Sequence, residues 1–145
     1  MTAVSVPTVI APRNALKRSS LEGRYHLASS YLRVARYVFD HGDYREAADL
    51  AYHAAETAVK ALLLLEIEEL PKSHRGVVNR FGDLYIRTDR LPRSMGRDLR
   101  LALATRNRAR CEPEQVITRP EAEEVLALAD RLLQHVTEFQ QALSE

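Results

Sequence analysis

Residues 44–69 read YREAADLAYHAAETAVKALLLLEIEE, and this stretch decides the fold. Ala47, Leu50, Ala51, Ala54, Ala58, Leu62 and Leu65 recur every three or four positions, with Val59 and Leu63–Leu64 widening the face. At 3.6 residues per turn such positions share one side of a helix. Alanines over the first four turns keep side-chain bulk away from the axis and suit close helix–helix approach. The longest unbroken apolar run, Ala61–Leu65, is far short of the ~20 residues a membrane span requires.

Upstream, His41-Gly42 interrupts the pattern, and Asp43 with Glu46 spells a capping-box-like start for the helix. Before that break, residues 20–40 form another helix. Leu21, Tyr25, Ala28, Leu32, Ala35 and Phe39 line one face, and Leu27, Tyr31, Val34 and Val38 make a second stripe. Two stripes call for neighbours on two sides: one is core and the other a dimer seam, or both are core. So short a connection lays the two helices antiparallel. Residues 1–18 read as a flexible N-terminal arm, and residues 19–145 as one helical domain.

Downstream, Pro71 ends the long helix near Glu69, and Ser73 caps a third helix over residues 74–87. A fourth, over residues 93–108, carries Met95, Leu99, Ala102 and Leu103. Thr118, Pro120 and Glu121 announce the last helix: a cap, an early proline and a glutamate three residues on. The expected class is all-α, an up-and-down bundle of four or five helices.

Composition agrees with a single soluble domain. Of 145 residues, 46% are hydrophobic and 28% charged, ordinary globular values. One cysteine, Cys111, excludes an internal disulfide and fits a reducing, cytoplasmic setting. Pro7 and Pro12, with no basic segment before them, argue against a signal peptide. Net charge is only +1, yet seven arginines fall between Arg93 and Arg119 against Asp98, Glu112 and Glu114. Only Lys17, Lys60 and Lys72 are lysines, so arginine is the chain's default cation.

Phosphate-loop and dinucleotide glycine motifs are absent. No Glu-x-x-His occurs, which excludes a carboxylate-bridged di-metal bundle, and five scattered histidines with one cysteine give no zinc spacing. The expectation is no metal and no cofactor. Two clusters remain. His53, Glu56 and Lys60 share a face of the apolar helix at spacings of three and four, either as a solvated stripe or at the mouth of a cleft that His74 also reaches. Arg106, Asn107, Arg108 and Arg110 gather where the fourth helix ends. They are either a helix C-terminus favoured by the macrodipole or an anion site in which guanidinium forks grip phosphate. Cys111 beside them is a packing residue or a nucleophile.

Several segments together resemble a known family. They are Asp43-Tyr44-Arg45-Glu46-Ala47-Ala48, the run Ala51 to Leu63, Ser73-His74-Arg75-Gly76, Phe81-Gly82-Asp83-Leu84, Arg106-Asn107 and Thr118 to Glu124. In order and spacing they resemble the HEPN domain (higher eukaryotes and prokaryotes nucleotide-binding), closest to its small stand-alone prokaryotic members. The resemblance covers about residues 20–140. It implies a helical bundle, usually a homodimer. It also implies kinship with metal-independent endoribonucleases, often toxins paired with a nucleotidyltransferase antitoxin. In those an Arg-x(4–6)-His motif binds the scissile phosphate and assists attack by the ribose 2′-OH. Arg106 matches the motif arginine and Asn107 the polar residue after it. Cys111 stands where the histidine is expected, and Pro113 where some toxins carry a modifiable tyrosine.

The function expected on these grounds is a non-catalytic or weakly active HEPN protein that binds nucleotide or RNA phosphate through Arg106, Asn107, Arg108 and Arg110. It would be a homodimer, with a nucleotidyltransferase as candidate partner in a toxin–antitoxin-like pair. One alternative is a metal-independent endoribonuclease toxin with a substitute acid/base: His53, His74 or Cys111. The other is a structural helical adaptor.

Overall fold

The structure, a computed structural model, describes the backbone of residues 5–144 and the side chains of residues 15–143. It is all helical over those residues: α1 (Ser5–Asp40), α2 (Tyr44–Leu63), α3 (His74–Phe81), α4 (Arg93–Cys111) and α5 (Arg119–Ser144). No helix among them is long and apolar enough to cross a membrane.

α2 is the central element, packed against α1, α5, α4 and α3. The alanines quoted above explain why one helix can have so many neighbours. Ala47, Ala48, Ala51, Ala54, Ala55 and Ala58 are all fully buried, as are Val59, Leu62 and Leu63. α1 turns back onto α2 through Gly42, whose φ of +84° is open to glycine at little cost. Asp43 precedes the first turn of α2, but its side chain makes no capping bond. The expected capping box at this end is not formed.

Besides α4, which runs on to Cys111 instead of ending near Arg108, three elements differ from the sequence reading. α1 starts at Ser5, so helix runs through most of the segment read as an arm, and residues 1–4 lie outside the described residues. Its middle is tied down, with Lys17 donating from Nζ to the Leu65 carbonyl at 3.1 Å and Leu21 buried. α2 stops at Leu63 rather than near Glu69. The chain then tightens, with Leu65 N bonded to the Leu62 carbonyl and Glu66 N to that of Leu63. The Tyr85 hydroxyl also donates to the Leu62 carbonyl. Third, the helix begun at His74 widens into a π-helical turn at Gly82–Ile86.

Ser73 caps α3 as expected, accepting from Gly76 N at 2.9 Å. A Cβ on Gly76 would sit 2.9 Å from Pro71 Cβ, so this cap needs glycine. Of the two stripes on α1, Leu21, Ala28, Leu32 and Ala35 enter the core, whereas Leu27 and Val34 are exposed. Tyr31 and Val38, also of the second stripe, are half-buried and pack against the core, so that stripe is split between core and surface.

Candidate functional site

α2 is buried on nearly every side, and four of its polar residues, Asp49, His53, Glu56 and Lys60, fall along a single line. Opposite the N-terminal half of that line, α4 brings up Arg106 and Arg110, one turn apart. The two helices meet at Asp49. Its Oδ2 lies 3.3 Å from Arg110 Nε, and its Oδ1 lies 3.7 Å from Arg106 Nε and 3.6 Å from His53 Nε2. Two guanidiniums, an imidazole and one carboxylate thus form a compact cluster.

The cluster is incompletely bonded. Arg106 Nε and Asp49 Oδ1 are both buried and neither has a hydrogen-bond partner. At 3.7 Å they attract each other electrostatically but exceed hydrogen-bond length. Arg106 is held from the side by its own neighbour, donating from Nη1 to Asn107 Oδ1 at 3.0 Å. Its side chain is 11% exposed and that of Arg110 52%. Arg110 therefore offers the open face, with Arg106 behind it.

His53 lies beside the same carboxylate oxygen, its ring 6.0 Å from that of Tyr31 on α1. Burial pushes its pKa below 6.5; Asp49 opposes that shift and the Arg106 charge adds to it. The imidazole therefore takes up a proton less readily than a free histidine.

Glu56 has a different task. The sequence allowed it to be part of a solvated stripe, but it is 4% exposed, which overturns that reading for this residue. Its Oε2 accepts from the Tyr52 hydroxyl at 3.0 Å and from His74 Nδ1 at 2.5 Å. Lys60 Nζ lies 3.3 Å from Oε1. Burial on its own would raise the Glu56 pKa. The bonds from His74 and Tyr52 and the charge of Lys60 outweigh it and hold the carboxyl below its usual range. Burial, reinforced by the Glu56 charge, raises the Tyr52 hydroxyl well above its usual value. This node fastens the N-terminus of α3 to α2. His74 and Lys60 are joined to it, so of the four residues read as a possible cleft only His53 faces the arginines.

Arg108 also leaves the expected set. It points across to the start of α5, where Nη1 and Nη2 meet the two oxygens of Glu121 at 2.5 and 3.1 Å. Its Nε donates to Gln115 at 2.9 Å. Glu121 in turn accepts from Thr118 N at 3.0 Å, while Glu121 N donates to Thr118 Oγ1 at 3.3 Å. That is the reciprocal capping box expected at α5. The bond from Arg108 and those from Thr118 bring the Glu121 pKa down to about 2. Arg108 is thus a joint between helices rather than a ligand for an outside anion. Cys111 is exposed and ends α4.

Sequence reasoning missed Asp49, the hub of the cluster, and Arg45, whose guanidinium donates to the carbonyls of Ala109 and Gln115 and so ties off the end of α4. A signal for Asp49 was present: an acid among buried alanines, four residues before a histidine on the same face.

The HEPN domain family model matches residues 21–139. Among curated proteins, "Putative toxin MJ0605" of Methanocaldococcus jannaschii is 27% identical over 119 residues. That alignment covers 82% of this chain and 87% of the relative.

Proposed function

The chain belongs to the HEPN domain family, and from that premise we propose that it binds a phosphate group of RNA or of a nucleotide at Arg110 and Arg106. The observation that carries this reading is the convergence of both arginines on Asp49, two guanidiniums against one carboxylate, which leaves one positive charge unbalanced. Arg106 is also the residue that matches the family's motif arginine. A guanidinium presents donors in a fixed fork that fits two phosphate oxygens. Asp49 holds the pair in place, so an arriving phosphate would meet the open guanidinium of Arg110 with that of Arg106 behind it.

His53 supports a second reading, cleavage. The motif histidine is absent from position 111, yet an imidazole from α2 lies against the same carboxylate oxygen as Arg106. In that reading His53 takes the proton of a ribose 2′-OH, whose oxygen attacks the neighbouring phosphorus while the 5′-oxygen departs. Positioned acid–base help of this kind contributes roughly 10²–10⁴-fold. The relative's name as a toxin agrees with such an activity.

One experiment separates the readings: labelled single-stranded RNA in EDTA, followed for binding and for cleavage. The expected result is binding that weakens at least ten-fold in Arg106→Ala, with the helical circular dichroism unchanged. Cleavage lost in His53→Ala while binding persists would establish the second reading. Binding unaltered in Arg106→Ala and Arg110→Ala would remove the site.

A further inference from the structure

A cavity of about 270 Å³ opens between α3 and α4, on the side of α4 adjoining Arg106. Arg75, Val78 and Asn79 line it from α3, and Arg100, Leu103, Ala104 and Asn107 from α4. Each set has the three- and four-residue spacing of a single helix face. Val78 and Leu103 give an apolar floor, Asn79 and Asn107 supply two amides, and Arg75 and Arg100 stand exposed at the rim.

The two arginines are unusual for this chain. Most described arginines meet a carboxylate or a carbonyl. Arg24 and Arg33 meet only serine hydroxyls, while Arg75, Arg80 and Arg100 have no carboxylate, carbonyl or hydroxyl partner among the described residues, and two of those last three rim this one cavity. Asn107 connects it to the site above, because its Oδ1 already accepts from Arg106 at 3.0 Å. That leaves its amide NH₂ as the group available to a ligand, while Asn79 offers both a donor and an acceptor.

We propose that this cavity is a nucleobase subsite, seating an unpaired base of the RNA whose phosphate lies at Arg106 and Arg110. A flat apolar floor takes the face of a base, and guanidinium planes stack on bases in single-stranded recognition. Asparagine amides match adjacent donor and acceptor atoms on a base edge, adenine above all. The subsite rests on the phosphate reading of the previous section and adds to it a base preference, adenine beside the bound phosphate. Asn107 thus borders both places, the phosphate site through its Oδ1 and the cavity that it lines.

The test uses the full chain and three fluorescent RNA octamers: all-adenine, all-uracil and abasic. The expected order of affinity is adenine over uracil over abasic, with about ten-fold between the first two. Asn79→Ala and the cavity-filling Leu103→Trp should each erase the preference for adenine and leave abasic affinity unchanged. Arg106→Ala should weaken all three alike. Equal affinity for the adenine and abasic octamers, with the Arg106 effect intact, overturns the base subsite alone. If Asn79→Ala and Leu103→Trp leave the adenine preference in place, the subsite lies elsewhere and the assignment falls. Octamers that bind without sensitivity to Arg106→Ala, or do not bind at all, overturn the phosphate reading and the subsite with it.

Discussion

Arg106 and Arg108 sit two residues apart on the same helix and have opposite fates. Arg108 is gripped by both oxygens of Glu121, which is itself bonded to Thr118. Every strong donor in that joint has an acceptor at hydrogen-bond length. Arg106 faces a carboxylate at 3.7 Å, and a buried nitrogen and a buried oxygen are left without bonds. Buried polar groups are normally satisfied because an unmet one costs about 1–3 kcal/mol. The contrast separates an arginine used to build the bundle from one whose bonding awaits something else. Helical register produces it: two residues on turn a side chain roughly 200° about the axis. One guanidinium therefore meets α2 and the other the start of α5.

The largest expected effect comes from breaking the satisfied side. Glu121→Ala removes the capping box and the partner of Arg108 together, and should cost about 2 kcal/mol of stability. Chemical denaturation reads this directly, and RNA affinity should be unchanged. The pH dependence carries a definite sign. Glu121 has its carboxyl held at about 2 in the fold against an ordinary 4.5. A depressed carboxylate pKa adds stability that is fully present above the unfolded value and is lost as pH falls through the folded one. The gap between wild type and variant should thus be constant above pH 5 and narrow steadily between pH 4.5 and 2. A gap that stays constant down to pH 2 would mean that the side chain contributes equally when protonated, as a hydrogen-bonding cap whose charge is irrelevant.

The same contrast explains what was legible in the sequence. The capping box at Thr118 and Glu121, the cap at Ser73 and the alanine face of α2 are local patterns, and each formed where its spacing placed it. Arg106 was reached through its match to a family motif. What escaped were the partners, because Asp49 and Arg106 are brought together only when α2 and α4 pack. Arg108 looked identical to Arg110 along the chain. Only the angle about the helix axis distinguishes them, together with the presence of Glu121 on one side and Asp49 on the other. The Asp43 cap failed for the complementary reason: its spacing fits the motif, but its side chain makes no bond.

A smaller effect, and a sharper test, comes from the unsatisfied side. Asp49→Asn keeps the shape and removes the charge that Arg106, Arg110 and His53 share. Asp49 Oδ2 accepts from Arg110 Nε at 3.3 Å while Oδ1 makes no hydrogen bond, so stability should fall by about 1 kcal/mol. Phosphate affinity should rise about five-fold, in line with the ~1 kcal/mol worth of one close charge pair in a watery setting. The decline of affinity with salt should also steepen, as expected when another cation becomes free to displace counterions. A fall in affinity instead would show that Asp49 orients Arg106 for the phosphate rather than competing with it. Arg106 would then belong with Arg108, as an arginine whose carboxylate partner is part of its function.

The smallest expected effect belongs to Cys111, and its size is its value. The sequence resemblance sets this residue against the family's motif histidine, and the structure places it exposed at the end of α4. An exposed side chain away from caps and networks typically changes stability by no more than about 0.5 kcal/mol when replaced. Cys111→Ser should therefore be silent in denaturation, in RNA binding and in any cleavage that His53→Ala abolishes. Alkylation of the thiol should be equally silent. A loss of binding or cleavage greater than about two-fold in Cys111→Ser would return the chemistry to position 111 and demote His53 to a packing partner of Tyr31. Silence at 111 together with sensitivity at 106 would mean that the arginine of the motif acts in this chain without the residue that usually accompanies it.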